Sequence, residues 1–267
     1  MIHKKKRQLP TRAFGAEPDV PDVPALSGWV AKRRETGGES DITTYLLEEA
    51  LAPQLDAGIT VPCSGGKFYK SRLLASFTGI EDRVIRGETG ISDSAIIADA
   101  TELVLRKKGV WCALPAPHLL SITDDYYRDE EEAEGAVADL YRGAMRAMRD
   151  AGVYGHVLIC ERAEGAELAA LSRRNVFFFH PDPARRDLEV LLEHQHRMAV
   201  NKEHLQDVLD LSDEYDLRQI IIVDADPGSI ALALSHLDPD QVVIGGYCTA
   251  SCDSYWNDLL KGAHYIP

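Results

Sequence analysis

The residues best suited to chemistry come in short groups, each following an apolar run. Ile222–Val223–Asp224–Ala225–Asp226–Pro227 sets two carboxylates one residue apart. If the run is a strand, both acids fall on one side of the pleat and can converge on a metal, a hydroxyl or a substrate ammonium. Pro227 gives Asp226 a second reading as an N-cap, with proline at the favoured first helical position. That leaves Asp224 as the stronger candidate for chemistry. Cys160–Glu161 closes Val157–Leu158–Ile159, and alternation lets only one of the pair face a substrate. A glutamate directly after a buried strand is costly to place without purpose, so Glu161 is the functional candidate and Cys160 a small core residue.

Val61–Pro62–Cys63–Ser64–Gly65–Gly66–Lys67 invites two readings. Its backbone amides could cradle phosphate, or Cys63 beside a lysine could be an activated thiolate. The Walker spacing is absent, which favours a plain strand-to-helix turn or another site contact. His194, His196 and Met198 share a side if the segment is extended, as strand-borne zinc ligands do; if it is helical, the two histidines diverge as surface residues. Cys248 and Cys252, in Cys–Thr–Ala–Ser–Cys, fall within the spacing of some structural metal sites, but no second pair completes one. Glu17, His118, and His180 with Asp182 complete the set.

Short apolar runs alternate with amphipathic stretches, the pattern of a parallel sheet built from βα units. The strands predicted are Leu9–Phe14, Gly58–Pro62, Val110–Pro115, His156–Glu161, Val176–His180, Ile220–Asp224 and Gln241–Gly246, with Glu193–Val200 or His264–Pro267 as the eighth. Ile220–Ile221–Ile222–Val223 is continuously apolar, as expected of a strand buried on both faces. Helices are predicted over Ile42–Leu55, Ser92–Lys107, Glu130–Ala151, His204–Tyr215 and Ser229–Leu237. The third has an acidic start suited to the helix dipole, and Gly152 closes it. No glycine-rich phosphate turn follows the first strand, which disfavours an open dinucleotide-binding sheet. The expectation is therefore a single (β/α)8 TIM barrel over residues 1–267, with residues 1–8 a disordered basic terminus. The site residues should lie at the C-terminal strand ends.

The formal net charge is −14, from 43 acidic and 29 basic residues. Nucleic acid and anionic membranes both require clustered positive charge, and the one basic run, Lys4–Lys5–Lys6–Arg7, reads as a solvated terminus. No apolar stretch is long enough to span a membrane and no secretory signal opens the chain. The five cysteines are too few and too scattered for a disulfide framework and read as reduced thiols, which points to the cytoplasm. A small-molecule substrate is expected, with room for a homo-oligomer or a protein partner.

The order of these features resembles the catalytic barrel of cobalamin-independent methionine synthase. Leu9–Pro10–Thr11–Arg12–Ala13–Phe14–Gly15–Ala16–Glu17–Pro18 is similar to that family's opening LPTT-x-x-GS-x-P, and Ala50–Thr60 is similar to its V-x-x-Q-x-x-AGLD segment. Phe77–Thr78–Gly79, Ala113–Leu114–Pro115 and Asp125–Tyr126–Tyr127 continue the match, and Leu158–Ile159–Cys160–Glu161–Arg162–Ala163 stands where the family reads IDEPAL. The resemblance implies a zinc ion held by one His, two Cys and one Glu, which converts a substrate thiol to a bound thiolate.

This chain departs from that pattern. Cys160 replaces the family's Asp and Arg162 its Pro, the H-x-C strand falls near His196–Arg197–Met198, Asp224 stands near the zinc Glu, and the chain ends before the position expected for the last Cys. The resemblance then implies a methyltransferase acting on a small thiol with a weak or altered zinc site. In it Glu161 and Asp224 are catalytic, Glu17, Cys63, His118 and Asp226 bind substrate, and His196, Asp224 and Cys248 hold the metal. Two other readings stand beside it: a degenerate barrel serving as a binding or accessory protein, and a metal-free lyase resembling uroporphyrinogen decarboxylase.

Overall fold

A computed structural model describes residues 6–35, 41–250 and 252–266. Eight parallel strands follow one another along the chain: β1 (Thr11–Ala16), β2 (Cys63–Gly65), β3 (Trp111–Pro115), β4 (Gly155–Ile159), β5 (Val176–Phe179), β6 (Arg197–Asn201), β7 (Gln219–Val223) and β8 (Val242–Cys248). They form two four-stranded parallel sheets, β2-β3-β4-β5 and β6-β7-β8-β1. An isolated Arg12–Val61 bridge joins the sheets through β1 and the approach to β2. Helices α1 (Val23–Glu35), α2 (Ile42–Ala57), α3 (Lys70–Ser76), α4 (Ser94–Arg106), α5 (Glu130–Asp150), α6 (Gly165–Leu171), α7 (Arg185–His194), α8 (Leu205–Leu211), α9 (Pro227–His236) and α10 (Cys252–Gly262) connect them.

The expectation of a closed barrel needs correction. No backbone ladder joins β5 to β6 among the described residues. The Gln195 side chain takes its place, accepting from Phe178 N and donating to Phe178 O, each at 3.0 Å. Both segments left open for the later strands are strands: Val176–Phe179 is β5, and Glu193–Val200 contributes β6. The terminal alternative, His264–Tyr265, instead pairs antiparallel with Arg7–Gln8, so the end of the expected disordered stretch is ordered. Lys4 and Lys5 lie outside the described residues. The strand expected at Gly58–Pro62 sits later, at Cys63–Gly65. An antiparallel hairpin, Phe77–Glu81 with Val84–Ile91, was not predicted. It turns on Asp82 and Arg83, both with positive φ, a two-residue turn that lacks the usual Asn-Gly signature.

Strands apolar on both faces produce two cores. Cys112, Leu114, Leu158, Phe178, Met198, Val200, Ile220, Ile222, Val242 and Ile244 face outward beneath the helices. The alternate residues form a second cluster that draws on every one of the eight strands, from Phe14 on β1 to Val243 and Tyr247 on β8. Phe14 stacks there on Phe177 and Phe179 at 5.5 and 4.6 Å. The long helix behaves as read: Asp129 caps α5 by accepting from Glu132 N, and Gly152 follows it with φ 109. No helix among the described residues is long and apolar enough to cross a membrane.

Candidate functional site at the C-terminal strand ends

The segments leaving the C-terminal ends of the strands bring their polar residues into one hydrogen-bonded chain. Asp224, just past β7, accepts from the Tyr255 hydroxyl. That oxygen in turn accepts from Tyr247 N at 2.9 Å. The Tyr247 hydroxyl donates to Glu17 Oε1, which also accepts from Lys67 N. Lys67 Nζ meets Glu161 Oε1 at 2.5 Å. Glu161 N donates to His118 Nε2 at 3.2 Å, and His118 Nδ1 lies 2.9 Å from Glu167 Oε2. With Nε2 accepting, the His118 proton sits on Nδ1 and points at the carboxylate.

Two glycines permit this closeness. Gly65 has φ 82, and a Cβ on it would lie 2.3 Å from Ala113 O. A Cβ on Gly66 would lie 2.2 Å from Ala16 O and 2.8 Å from Glu17 Oε1. The Ser–Gly–Gly–Lys turn thus serves the approach of neighbouring strand ends, and its Lys67 amide is taken by Glu17 rather than left open to phosphate.

The charges differ in state. The Lys67 ammonium, through its hydrogen bond and its charge, holds the Glu161 carboxyl below the usual carboxylate range. The pair is open to water, with side chains 37% and 60% exposed. Asp224 runs the other way: water displaced by the surrounding wall raises its carboxyl, against the lowering effect of Tyr255. It is exposed all the same, and it holds a left-handed backbone with φ 52. Non-glycine residues in that region are uncommon and tend to collect at functional sites. His180, at the end of β5, is buried, which lowers its pKa and keeps it neutral. Its Nδ1 accepts from Asp182 N and its Nε2 has no partner.

Glu17, His118, Glu161 and Asp224 are thus linked in one hydrogen-bonded chain. His118, its side chain 5% exposed, positions the Glu161 amide instead of presenting an open ring. Cys63 does not join them: it is fully buried, and burial pushes its thiol up to about 12, so it is a neutral residue of the inner core. Asp226 is the N-cap of α9, accepting from Ser229 N at 2.8 Å and pairing with Lys202 at 3.3 Å. Cys160 is buried in the outer core, as read. Lys67, Glu167, Tyr247 and Tyr255 had not been singled out as site residues. Their sequence signal is weak, since Tyr255 reaches the site from α10 and Glu167 from the first turn of α6.

The metal triad fails on geometry. His196 precedes β6, beside Asp216 and Arg218. Asp224 lies six residues beyond the β7 position that pairs with it, roughly 20 Å away at about 3.3 Å per residue. Cys248 is bonded to Cys252 in a disulfide, so neither is the reduced thiol expected, and Cys248 offers no thiolate. No group of three or more His, Cys, Asp or Glu among the described residues is placed to hold a metal. The residues present do not fit the zinc that the resemblance implies.

Neither a family model nor a curated protein matches the chain. Solved structures do. A B12-independent methionine synthase from Shewanella sp. W3-18-1, in complex with selenomethionine, superposes with a TM-score of 0.67 at 15% identity, covering 96% of this chain and 97% of that one. A Listeria monocytogenes protein assigned as a vitamin-B12-independent methionine synthase gives 0.63 at 15% identity over 96% of each chain. The metallated form of the Escherichia coli homocysteine methyltransferase MmuM gives 0.51 at 13% identity, again over 96% of each. The chain therefore shares the fold of the B12-independent methionine synthases, and at these identities it is the fold that is shared.

Proposed function

We propose that the chain is a divergent methionine-synthase-like (β/α)8 barrel, parted at the β5–β6 seam, and that its mouth binds a small sulfur-bearing amino acid. The observation that carries this reading is the exposed Lys67–Glu161 pair within a continuous network. An amino-acid head group is the charge inverse of such a pair. Its carboxylate can replace Glu161 on Lys67 while its ammonium takes Glu161, so little net charge is buried. Asp224 has one carboxylate oxygen held by Tyr255, and Oδ2 remains for a second contact to the ammonium or for a proton. The aromatic pair Phe179–Tyr247, with centroids 5.5 Å apart, suits a thiol or thioether. The selenomethionine held by the methionine synthase neighbour is a ligand of this kind.

Zinc forms no part of the proposal, because the donors do not converge. The Cys248–Cys252 disulfide favours a second reading, in which the barrel binds such a ligand without transferring methyl groups. Titration calorimetry with methionine and homocysteine tests the binding. Saturable binding is expected, weakened at least about ten-fold in Glu161→Gln and in Lys67→Met, the scale of a lost charge-assisted contact. No binding, or an affinity unchanged from that of the parent protein in either variant, overturns it. Methyl transfer to homocysteine, assayed beside elemental analysis, separates transferase from binding protein.

A further inference from the structure

At the N-terminal end of the strand array, opposite the mouth, β5 and β6 part around a cavity of about 480 Å³. Its wall carries Arg12, Arg173, Arg174, Arg197 and Arg218, with His194 and His196 beside them, and no carboxylate lines it. In a chain of net charge −14 this is a local concentration of the opposite sign.

Arg12 marks the cavity as more than a surface patch. It is 5% exposed, and its guanidinium lies 4.0 Å from the Trp111 ring centroid and 5.5 Å from that of Phe177. Its Nε and Nη2 have no hydrogen-bond partner. Buried polar groups are normally satisfied, and buried charges are paired. Burial, with a smaller contribution from the charge of Arg197, lowers its pKa only to about 10, so it remains a cation at neutral pH. Arg218 is neutralised by Asp216 at 2.6 Å. Arg174 and Arg197 have no ion pair among the described residues. Several unneutralised guanidinium groups facing one space call for a multiply charged anion, and their planar forks match phosphate oxygens two at a time. The volume suits a small organic ligand.

We propose that this cavity binds a multiply charged phosphate compound of up to nucleotide size, with Arg12 as the buried anchor and Arg174 and Arg197 completing the grip. The site is separate from the mouth and does not depend on what the mouth binds. Binding is measured by calorimetry and thermal shift with inorganic pyrophosphate, with a nucleoside diphosphate and with citrate, at matched ionic strength. Saturable binding of pyrophosphate or the diphosphate, weaker citrate, and at least about ten-fold loss in both Arg12→Met and Arg197→Ala are expected. Tighter binding of the nucleoside diphosphate makes the nucleotide the ligand, whereas equal affinity makes the phosphate groups alone the determinant. If Arg12→Met does not fold, the exposed Arg197→Ala decides alone. No binding of either phosphate, citrate as tight as pyrophosphate, or affinity unchanged in Arg197→Ala overturns the proposal. Methionine binding measured on the same Arg197→Ala protein should be unaltered, which keeps failure here distinct from failure at the mouth.

Discussion

At the C-terminal ends of the strands the polar groups hold one another: Lys67 on Glu161, His118 against Glu167, Lys202 on Asp226. At the N-terminal ends Arg12 is buried with two donors unsatisfied, and His156 is buried with neither ring nitrogen partnered. The same eight strands thus end in a network that arranges itself and in a cavity that does not balance its own charge. A self-paired mouth is preorganised to exchange its internal contacts for those of a ligand, at small cost in stability. An unbalanced cavity is a place where stability has been given up, which a bound anion would restore by mass action.

The comparison breaks first if the two ends do not share a packed interior. Phe14 is fully buried and stacks on both aromatic residues of β5 that face inward. Phe14→Ala should cost about 3–5 kcal/mol in urea unfolding, and a loss below about 1 kcal/mol would show that no common core exists. The next largest effect is acid sensitivity from the unpaired end. Burial pulls the His156 pKa down to about 3, against about 6.5 in the unfolded chain. Between those values the unfolded chain binds a proton that the fold refuses, so stability is lost as pH falls below about 6.5, by up to about 1.4 kcal/mol per pH unit. Urea titrations from pH 7 to pH 5 should show a shallower slope in His156→Leu than in the parent protein; equal slopes contradict the assignment.

Smaller effects sharpen the view of the mouth. Asp226→Ala should cost about 1 kcal/mol, as the loss of a helix cap, and leave methionine affinity unchanged; a fall in affinity would return Asp226 to the substrate. Lys67→Met should change stability by less than about 1 kcal/mol, because the pair is exposed, while affinity falls by the larger factor given above. A stability loss above 2 kcal/mol would make Lys67–Glu161 a structural pair.

Much of the fold was legible because strands buried on both faces leave unbroken apolar runs, as at Ile220–Val223, and because glycine and acidic residues punctuate α5. Glu161 and Asp224 were legible for the same reason, being charges placed directly after such runs. Sidedness was not. His196 lies before its strand because α7 runs to His194, and a shift of a few residues in that boundary moves a histidine from one end of the array to the other. The Cys248–Cys252 bond depends on the turn into α10 bringing together two residues whose spacing signals little. Arg12 sat inside a family-like motif. Only the parting of β5 from β6, a tertiary feature held by Gln195, reveals it as a buried cation facing open space.

The most direct test of the central claim is a crystal of the native protein soaked with selenomethionine and measured at the selenium edge. The account predicts an anomalous peak at the mouth, within reach of Lys67, Glu161 and Asp224, with none in the arginine-lined cavity. A peak elsewhere, or no peak at a concentration that saturates binding in solution, would contradict it.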